Sequence, residues 1–284
     1  MKRIHPTAVV DPAAELGDDV VVGPLCVIDG PVKVGARTVL HAHVTLMGHT
    51  VIGEGNVVHA GAVLGAPPQD LKYAGAITRL VVGDRNQIRE HVTFHAGTEK
   101  GGGLTTVGSD GMFMAGCHVA HDGHVGNGVI MANHVLLAGH VTVGDRAVLN
   151  GAAAAHHFSS VGRLAYVGGL SRIVRDIPPF CIAEGHPLRI RGANVVGMRR
   201  AGFAADAIAR IRDAIHRIFV SDREPARVAM ERLEQEHRGD PLIAELLEFI
   251  RRSDQGRNGR ANDRRAGAPP APAPAAPPAA GRTA

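Results

Sequence analysis

Aromatic residues are nearly absent from this chain. Its 284 residues include no tryptophan, two tyrosines and seven phenylalanines, so aromatic residues make up 3% of the sequence, whereas hydrophobic residues make up 45%. The core must therefore consist of Val, Ile, Leu and Ala, which favours thin, regular layers over a bulky globular centre.

Cysteine and long apolar runs are scarce as well. Cys26, Cys117 and Cys181 are too few and too scattered for a disulfide framework, and without a C-x-x-C pair they do not indicate a thiolate metal site. The segment MKRIHPTAVV at the N-terminus lacks the apolar stretch of a signal peptide, and no apolar run is long enough for a membrane span. We expect no stable membrane insertion and a cytoplasmic location. The net charge of +4 mildly favours acidic partners, and we expect no nucleic acid among them.

A six-residue repeat runs through most of the chain. Every sixth residue is apolar from Ile4 to Leu64, from Val82 to Phe94, and from Val107 to Ile173, which makes 26 matches in 26 positions. A period of six fits neither a helix nor an alternating strand. It is typical of a parallel β-helix, in which one residue of each short strand points inward and three repeats complete one triangular coil. The glycines that often follow the inward residue are expected to adopt positive φ at the turns.

The repeat and its interruptions predict three regions. The β-helix covers residues 1–190, with loop insertions at 66–79 and 95–106 where the frame breaks. Apolar residues at helical spacing after Met198, and again in EPARVAMERLEQEH and DPLIAELLEFIRR, predict an α-helical C-terminal domain over 191–252. The Pro/Ala-rich residues 253–284 are expected to form a disordered tail.

Histidines are numerous, and five of them are expected to line one edge of the coils. None of the fourteen histidines within residues 1–173 occupies an inward position, so they should point outward or lie at turns. Adding the coil length of 18 residues to His121 leads to Gly139, beside His140, and then to His157, beside His156. We call this edge, together with the nearby His118, the histidine ridge. Six other histidines are interpreted as ordinary surface residues: His5, His41, His43, His49, His59 and His134.

Two kinds of chemistry fit the histidine ridge. Zinc is commonly bound by three histidines and a water, and a β-helix trimer can complete such a site across an interface. Alternatively, His121 acts as a general base, because the pKa of histidine lies near neutrality. Asp122 would orient it, provided that a corner of the coil brings the two side chains together, and the N–H of Gly139 would bind an oxyanion. The residues alone leave both readings open.

Several segments, in order along residues 4–250, resemble one enzyme family. They are QDLKYAG (69–75), GDRNQIREHVTFHAGT (83–98), GGGLTTVGSD (101–110), HVAHDGHVGN (118–127), LLAGHVTVGD (136–145), DIPPF (176–180) and GMRRAGF (197–203). Together they are similar to the UDP-N-acetylglucosamine O-acyltransferases of lipid A synthesis.

The resemblance implies a fold, an assembly and a reaction. The expected fold is a left-handed parallel β-helix with a C-terminal helical domain, assembled as a homotrimer. The expected reaction moves an (R)-3-hydroxyacyl group from acyl carrier protein to the 3-hydroxyl of UDP-N-acetylglucosamine. No cofactor and no metal are implied, because the carrier thioester is itself a substrate.

The resemblance also implies roles for individual residues. His121 corresponds to the general base, Asp122 to its orienting partner and Gly139 to the oxyanion donor. Two residues of the first loop, Asp70 and Lys72, correspond to contacts that reach the sugar nucleotide from the adjacent subunit. Gly169 is expected two coils above Gly139, where it would leave room for a medium-to-long acyl chain. The other substrate contacts implied are His118, His140, His156, His157, Asn194 and Arg200.

The chain departs from the family pattern at a few positions. His157 stands where a glutamine is expected, and Ala201 where a third basic residue is expected. The segment GHPLRIRGAN (185–194) is also divergent, and its additional arginines, Arg189 and Arg191, are candidates to replace the missing charge.

Three other functions compete with this one. A related N-acyltransferase carries an additional N-terminal domain, whereas the repeats here begin at Ile4. A zinc-dependent hydratase of the β-helix carbonic anhydrase type would use histidine ligands but lacks these loops and this helical C-terminus. A non-catalytic scaffold would have no use for the histidine ridge.

Overall fold

The computed structural model describes residues 2–263, which form a long stack of short strands followed by four helices. The strands are β1 (Arg3–Ile4), β2 (Val9–Val10), β3 (Glu15–Leu16), β4 (Val21–Val22), β5 (Val27–Asp29), β6 (Lys33–Val34), β7 (Val39–Leu40), β8 (Thr45–Met47), β9 (His49–Ile52), β10 (Val57–Val58), β11 (Val63–Ala66), β12 (Arg79–Val82), β13 (Gln87–Ile88), β14 (Thr93–His95), β15 (Leu104–Val107), β16 (Met112–Phe113), β17 (His118–Val119), β18 (His124–Val125), β19 (Ile130–Met131), β20 (Leu136–Leu137), β21 (Thr142–Val143), β22 (Val148–Leu149), β23 (Ala154–Ala155), β24 (Ser160–Val161), β25 (Tyr166–Val167), β26 (Arg172–Ile173), β27 (Cys181–Glu184) and β28 (Arg189–Ala193). The helices are α1 (Val195–Arg200), α2 (Ala205–Phe219), α3 (Ala226–Glu236) and α4 (Pro241–Gln255).

Strands β1 to β26 form three parallel sheets, which confirms the predicted β-helix. Sheet A contains β1 and every third strand up to β25, and is extended by β27 and β28; sheet B runs from β2 to β26, and sheet C from β3 to β24. Each of these 26 strands holds one residue of the sixfold repeat, and nearly all of those side chains are buried. Ile4 is the main exception, with 47% exposure, because the first coil has no coil below it.

The two loop insertions leave the stacking register intact. Strands of one sheet normally pair with residues 18 positions further on, as His118 does with Leu136. Across the first loop Val63 pairs with Thr93, and across the second Thr93 pairs with His118. The added residues therefore protrude from the corner between sheets B and C, and the coils continue in register above them.

Most glycines that follow inward residues, such as Gly23 and Gly35, do not have the predicted positive φ, whereas Gly65 has it (φ 85°). The left-handed conformation is found two residues later in the turn, at residues that include Leu25 (φ 57°), Asp122 (φ 56°) and His140 (φ 62°). The glycines are needed for closeness instead: a Cβ on Gly35 would lie 2.5 Å from the backbone carbon of Gly53 in the next coil. Tight coil stacking, and not turn conformation, therefore selects glycine there.

The helical C-terminal region begins later than predicted, and its first predicted helix is divided into two. β27 and β28 form an antiparallel hairpin that continues sheet A to Ala193, beyond the predicted boundary at residue 190. The helix predicted from Met198 is split between α1 and α2, and Gly202, with φ of 84°, lies in the break. α2 packs its apolar face inward, with Ile208, Ile211, Ile215 and Ile218 buried.

The prediction of a disordered tail from residue 253 is wrong for residues 253–263. Ser253 lies in α4 and donates a hydrogen bond from its hydroxyl to Asp176 (2.9 Å). The N–H of Ala261 bonds the same carboxylate (2.8 Å), and the Asn262 amide contacts the hydroxyls of Thr142 and Ser160 on sheet C (3.2 Å each). These polar contacts hold the segment, which composition alone does not predict. Residues 264–284 of the predicted tail lie outside the described residues.

Two smaller points concern cysteines and membranes. Cys26 and Cys117 are buried in the core, as predicted for small inward positions, and all three cysteines are free. In the described part of the chain, no helix is both long and apolar enough to cross a membrane.

Two adjacent residues of β9 test which side chains point into the core and which point to the outer face. Ile52 is 1% exposed, whereas Val51 is 37% exposed on the outer face of sheet C. Ile52→Ala should lower the free energy of unfolding by about 2 to 5 kcal/mol because it leaves a cavity in the core. Val51→Ala should change it by less than about 0.5 kcal/mol. Urea unfolding of both variants measures the difference, and equal effects would contradict the assignment.

Candidate active site

The histidine ridge lies at the corner between sheets B and C. β17 and β18 flank the turn that holds His121, and the corresponding turns of the next two coils hold Gly139 and His157. The N–H of His140 donates to the carbonyl of His121 (3.0 Å), and the N–H of Phe158 donates to that of Gly139 (3.2 Å). The predicted stacking of three rungs is therefore confirmed.

His121 and Asp122 form a buried dyad at this corner. The Nδ1 of His121 lies 2.8 Å from Oδ2 of Asp122, and the two residues are 7% and 2% exposed. Adjacent residues of a strand point to opposite sides, but Asp122 has a positive φ, which turns its carboxylate back toward the imidazole. The corner that the sequence could only assume is therefore present.

The second loop encloses the Asp122 carboxylate. Thr98 donates its N–H to Oδ1 (2.9 Å) and its hydroxyl to Oδ2 (2.7 Å), and a 3₁₀ turn at Glu99–Gly101 follows. Gly97 and Gly101 press their backbones against the carboxylate so closely that a Cβ on either would collide with it. Charge-assisted hydrogen bonds of this kind compensate the cost of burying the carboxylate and fix its orientation.

Gly139 lies directly against the imidazole of His121. A Cβ at this position would be 2.5 Å from Cε1 and 2.7 Å from Nε2 of His121. Among residues 2–263, no group accepts a hydrogen bond from the Gly139 N–H. The glycine therefore places an open backbone donor next to the free side of the dyad.

Other imidazoles of the ridge are kept from gaining a proton. His140 makes an edge contact with His121 (5.2 Å between ring centroids) and stacks on Phe158 (4.5 Å). Burial lowers the pKa of His140, although the charge of Asp122 acts in the opposite direction. Burial also lowers the pKa of His157, and the neighbouring His156 adds to this effect. His156 itself is exposed, with Nδ1 3.1 Å from the carbonyl of His157.

His118 is held beside the ridge on sheet B. Its Nδ1 lies 2.7 Å from the hydroxyl of Thr93, and its ring makes an edge contact with His95 (5.0 Å). Burial lowers the pKa of His118 to about 4, and the charges of His95 and His121 act in the same direction. The side chain is therefore neutral near pH 7 and offers a hydrogen bond, not a charge.

One group of side chains at the ridge has the spacing of a metal site. His121, Asp122 and His140 can each offer a ligand atom, and these atoms lie within 4.8 Å of one another. Two of these three residues also form the dyad, because the Asp122 carboxylate accepts the hydrogen bond from His121. The geometry alone is therefore compatible with either reading.

The first loop approaches the ridge of its own chain. The carboxyl of Asp70 accepts a hydrogen bond from the N–H of Lys72 (2.9 Å), which is the main cause of its lowered pKa, and the charges of His121 and His140 lower it further. The contact of Asp70 with the sugar nucleotide of an adjacent subunit stays a prediction. Lys72 is exposed beside it.

Two residues of the helical region differ in their surroundings. Asn194 is buried as the N-cap of α1: its side chain accepts from the N–H of Gly197 (2.9 Å) and donates to the carbonyl of Leu164 (2.8 Å). These two bonds use one N–H and one lone pair of the Asn194 amide, and its predicted nucleotide contact stays a prediction. Arg200 is exposed and forms no ion pair with any residue in 2–263. Arg191, a candidate to replace the charge missing at Ala201, lies 3.4 Å from Glu184.

Gly169 lies at a different corner from the ridge. Its Cβ position would be 3.2 Å from the carbonyl oxygen of Gly151, so the residue stacks on Gly151 between sheets A and B. The expectation that it lies two coils above Gly139 is wrong, because 30 residues do not make a whole number of 18-residue coils.

Sequence analysis missed several residues of the site. Thr98 and Thr105 hold Asp122, the latter by accepting its N–H (2.8 Å), and Phe158 supports His140. His95 is buried beside His118, with no hydrogen bond to its Nδ1 within the described chain. In the sequence, the segment HAGT (95–98) contains two of these residues, His95 and Thr98. The others could not be predicted, because a loop does not follow the six-residue repeat from which positions are read.

Comparisons with known proteins agree with this arrangement. Residues 31–66 match the family model described as bacterial transferase hexapeptide (six repeats), and residues 176–258 match that of UDP-N-acetylglucosamine O-acyltransferase, domain 2. The chain is thus a hexapeptide-repeat transferase with a histidine–aspartate dyad at one corner of its coils.

Sequence relatives identify the family to which this transferase belongs. An acyl-(acyl-carrier-protein)–UDP-N-acetylglucosamine O-acyltransferase of Myxococcus xanthus is 48% identical, over 90% of this chain and 99% of its own length. The relative from Anaeromyxobacter is 46% identical, over 89% and 98%. The chain belongs to this family of O-acyltransferases.

The structural comparisons give the same family. A UDP-N-acetylglucosamine acyltransferase from Bacteroides fragilis superposes with a TM-score of 0.84 at 37% identity, covering 87% of this chain and 96% of that one. The enzyme from Acinetobacter baumannii gives 0.82 at 39% identity, covering 86% and 95%. The expected left-handed parallel β-helix is confirmed.

A methyl group at Gly139 should disrupt the dyad. In Gly139→Ala the Cβ would displace the His121 imidazole, so we expect acyl transfer to fall at least 100-fold, the size of a lost general base. Gly151→Ala is the matched control, because its Cβ would meet only the carbonyl oxygen of Asn133 at 3.6 Å. Initial rates of both variants measure this, and full activity of Gly139→Ala would contradict the close contact.

The pKa of His118 should make stability depend on pH. Its folded pKa is about 4, whereas an unfolded histidine titrates near 6.5. The unfolded chain therefore takes up this proton first, so the free energy of unfolding is highest above about pH 6.5 and falls as the pH drops toward 4. His118→Gln should lose less stability than the parent between pH 7 and pH 5 in urea unfolding. An identical pH dependence would refute the lowered pKa.

Proposed function

We propose that this chain transfers an (R)-3-hydroxyacyl group from the thioester of acyl carrier protein to the 3-hydroxyl of UDP-N-acetylglucosamine, the first step of lipid A synthesis. The observation that carries the proposal is the His121–Asp122 dyad beside the open N–H of Gly139. It occurs in a chain that is 48% identical to an O-acyltransferase of that name.

The dyad supplies a base and an oxyanion donor in one place. His121 Nε2 takes the proton of the sugar hydroxyl as that oxygen attacks the thioester carbon, and the Gly139 N–H donates to the oxyanion that forms. When the intermediate collapses, the C–S bond breaks, and the carrier thiolate receives the proton from His121. Asp122 keeps the Nδ1–H tautomer and stabilises the imidazolium. General-base catalysis contributes about 10²–10⁴-fold, and one oxyanion donor about 10²–10³-fold.

The surrounding groups suit the two substrates differently. His118, His140, His156 and His157 offer imidazoles that can form hydrogen bonds with the sugar and the thioester end. Lys72 and Arg200 offer the cations that a diphosphate needs, since arginine carries a permanent charge and a forked set of donors. Asp70, on the first loop, is suited to accept hydrogen bonds from sugar hydroxyls.

A homotrimer is the assembly that we propose. The outer faces of sheets A and B are largely apolar, including Val21, Ile130 and Tyr166 on sheet A and Val27 and Leu136 on sheet B. The outer face of sheet C is more polar and includes Glu15, Lys33, Thr106 and His124. Two different apolar faces on one subunit fit a closed ring in which sheet A of one chain meets sheet B of the next. A neighbour's sheet A would then bring Gly169 toward the acyl chain bound at the ridge.

The chemistry proposed for the ridge needs no cofactor and no metal, because the thioester is already activated. Three free, buried cysteines suit a reducing compartment such as the cytoplasm, where the enzyme is proposed to work. The second candidate is a zinc-dependent hydratase, favoured only by the spacing of His121, Asp122 and His140.

The first experiment offers UDP-N-acetylglucosamine and a graded series of (R)-3-hydroxyacyl carrier proteins to the purified chain. We expect acylated sugar nucleotide that forms equally with and without a chelator, and at least a 100-fold loss in His121→Ala because the general base is gone. His134→Ala, an exposed histidine of another corner, is the control. Absence of product with every chain length, or activity abolished by the chelator, would reject the proposal in favour of a metal site.

A further inference from the structure

His124 lies on the sheet C side of the dyad and was assigned no role by the sequence. It begins β18, directly after the turn that holds His121 and Asp122, and its side chain is on the outer face of sheet C. His118 begins β17 on the sheet B side of the same turn. The two imidazoles therefore flank the dyad from opposite sides of the corner.

The two imidazoles are held in the same way. Nδ1 of His124 lies 2.9 Å from the hydroxyl of Thr106, as Nδ1 of His118 lies 2.7 Å from that of Thr93. Both threonines belong to the preceding coil and pair with these histidines across the sheet. Within residues 2–263 nothing forms a hydrogen bond with Nε2 of His124, so this atom is left to meet a ligand.

The residues paired with His124 on sheet C are polar and uncharged. Burial lowers the pKa of His124, although the charge of Asp122 opposes this, so the imidazole is kept neutral. Its neighbours along sheet C are Thr106 below and Thr142 above. The hydroxyls of Thr142 and Ser160 are already in contact with the amide of Asn262 (3.2 Å each). Thr106 and His124 are thus the hydrogen-bonding groups that remain beside the ridge on this sheet.

We propose that His124 binds the pantetheine arm of the acyl donor through its Nε2. The inference rests on the proposed function and identifies one contact of its donor substrate. A neutral imidazole suits the uncharged amides and hydroxyl of that arm, whereas a diphosphate requires cations.

The direction of approach supports the same occupant. The thioester must reach His121 and Gly139, and its carrier is a whole protein that needs an open side. Near His124 the outer face of sheet C is polar, with Thr106, Thr142 and Ser160 in line with it, whereas sheets A and B carry the apolar residues assigned to the trimer. The arm therefore enters over sheet C, past His124.

Three substitutions separate the functions of the two ring nitrogens. His124→Ala should raise the KM for the acyl carrier protein about five- to tenfold, the size of one lost hydrogen bond, and leave the KM for UDP-N-acetylglucosamine within about twofold. His124→Gln places a donor near the former Nε2 and should restore most of the loss. His124→Asn mimics only Nδ1 and should not. His49→Ala is the control, because His49 is an exposed histidine on the same face of sheet C, in β9.

A shortened donor, acyl-pantetheine without the carrier protein, tests whether the arm itself is the ligand. We expect the same KM increase in His124→Ala with this donor. An increase seen only with the whole carrier, an increase for UDP-N-acetylglucosamine, or parent-like values for both donors would overturn the proposal. Thermal unfolding of each variant checks the fold, and His124→Gln carries the test if His124→Ala is unstable.

Failure of the His124 proposal can be distinguished from failure of the proposed function. If the parent chain acylates no sugar nucleotide, the proposed function fails, and calorimetric titration with acyl-pantetheine decides the binding question by itself. Weaker binding to His124→Ala than to the parent would support the contact, and equal binding, or none to either, would refute it.

Discussion

The stacking of one aliphatic side chain on another, coil after coil, is the constraint on which the rest of this molecule depends. Because each strand contributes one inward residue and each coil takes 18 residues, every outward position is fixed relative to the next coil. Burial of these side chains stabilises the stack, and their regular spacing sets the register. The loops are tolerated because they protrude at a corner and leave that register unchanged.

The dyad is a consequence of this register combined with one irregular segment. The corner turns Asp122 toward His121, and the next coil brings Gly139 under the imidazole. The cost of burying this carboxylate is offset by the hydrogen bond with His121 and, from the second loop, by the N–H and hydroxyl of Thr98. A regular scaffold thus supplies the positions, and an interruption of the repeat supplies the hydrogen bonds.

Burial gives the site its distribution of charge. The imidazoles of His118, His124 and His140 are all kept from protonation by their surroundings, whereas the cations Lys72 and Arg200 lie on exposed segments. The exposed cations are accessible to an anionic substrate. Charge recognition and proton transfer are in this way separated in space.

The sequence by itself determined the β-helix, because the sixfold repeat is local and each of its 26 positions carries the same physical demand for an apolar side chain. It also determined that His121, Gly139 and His157 stack, since this follows from the coil length. Only the tertiary structure decided how turns and irregular segments close. The cap formed by Asn194, the packing of Gly101 on Asp122 and the binding of residues 253–263 by Asp176 all depend on single polar contacts between distant residues. Such contacts have no period, so the chain must fold before they can be recognised.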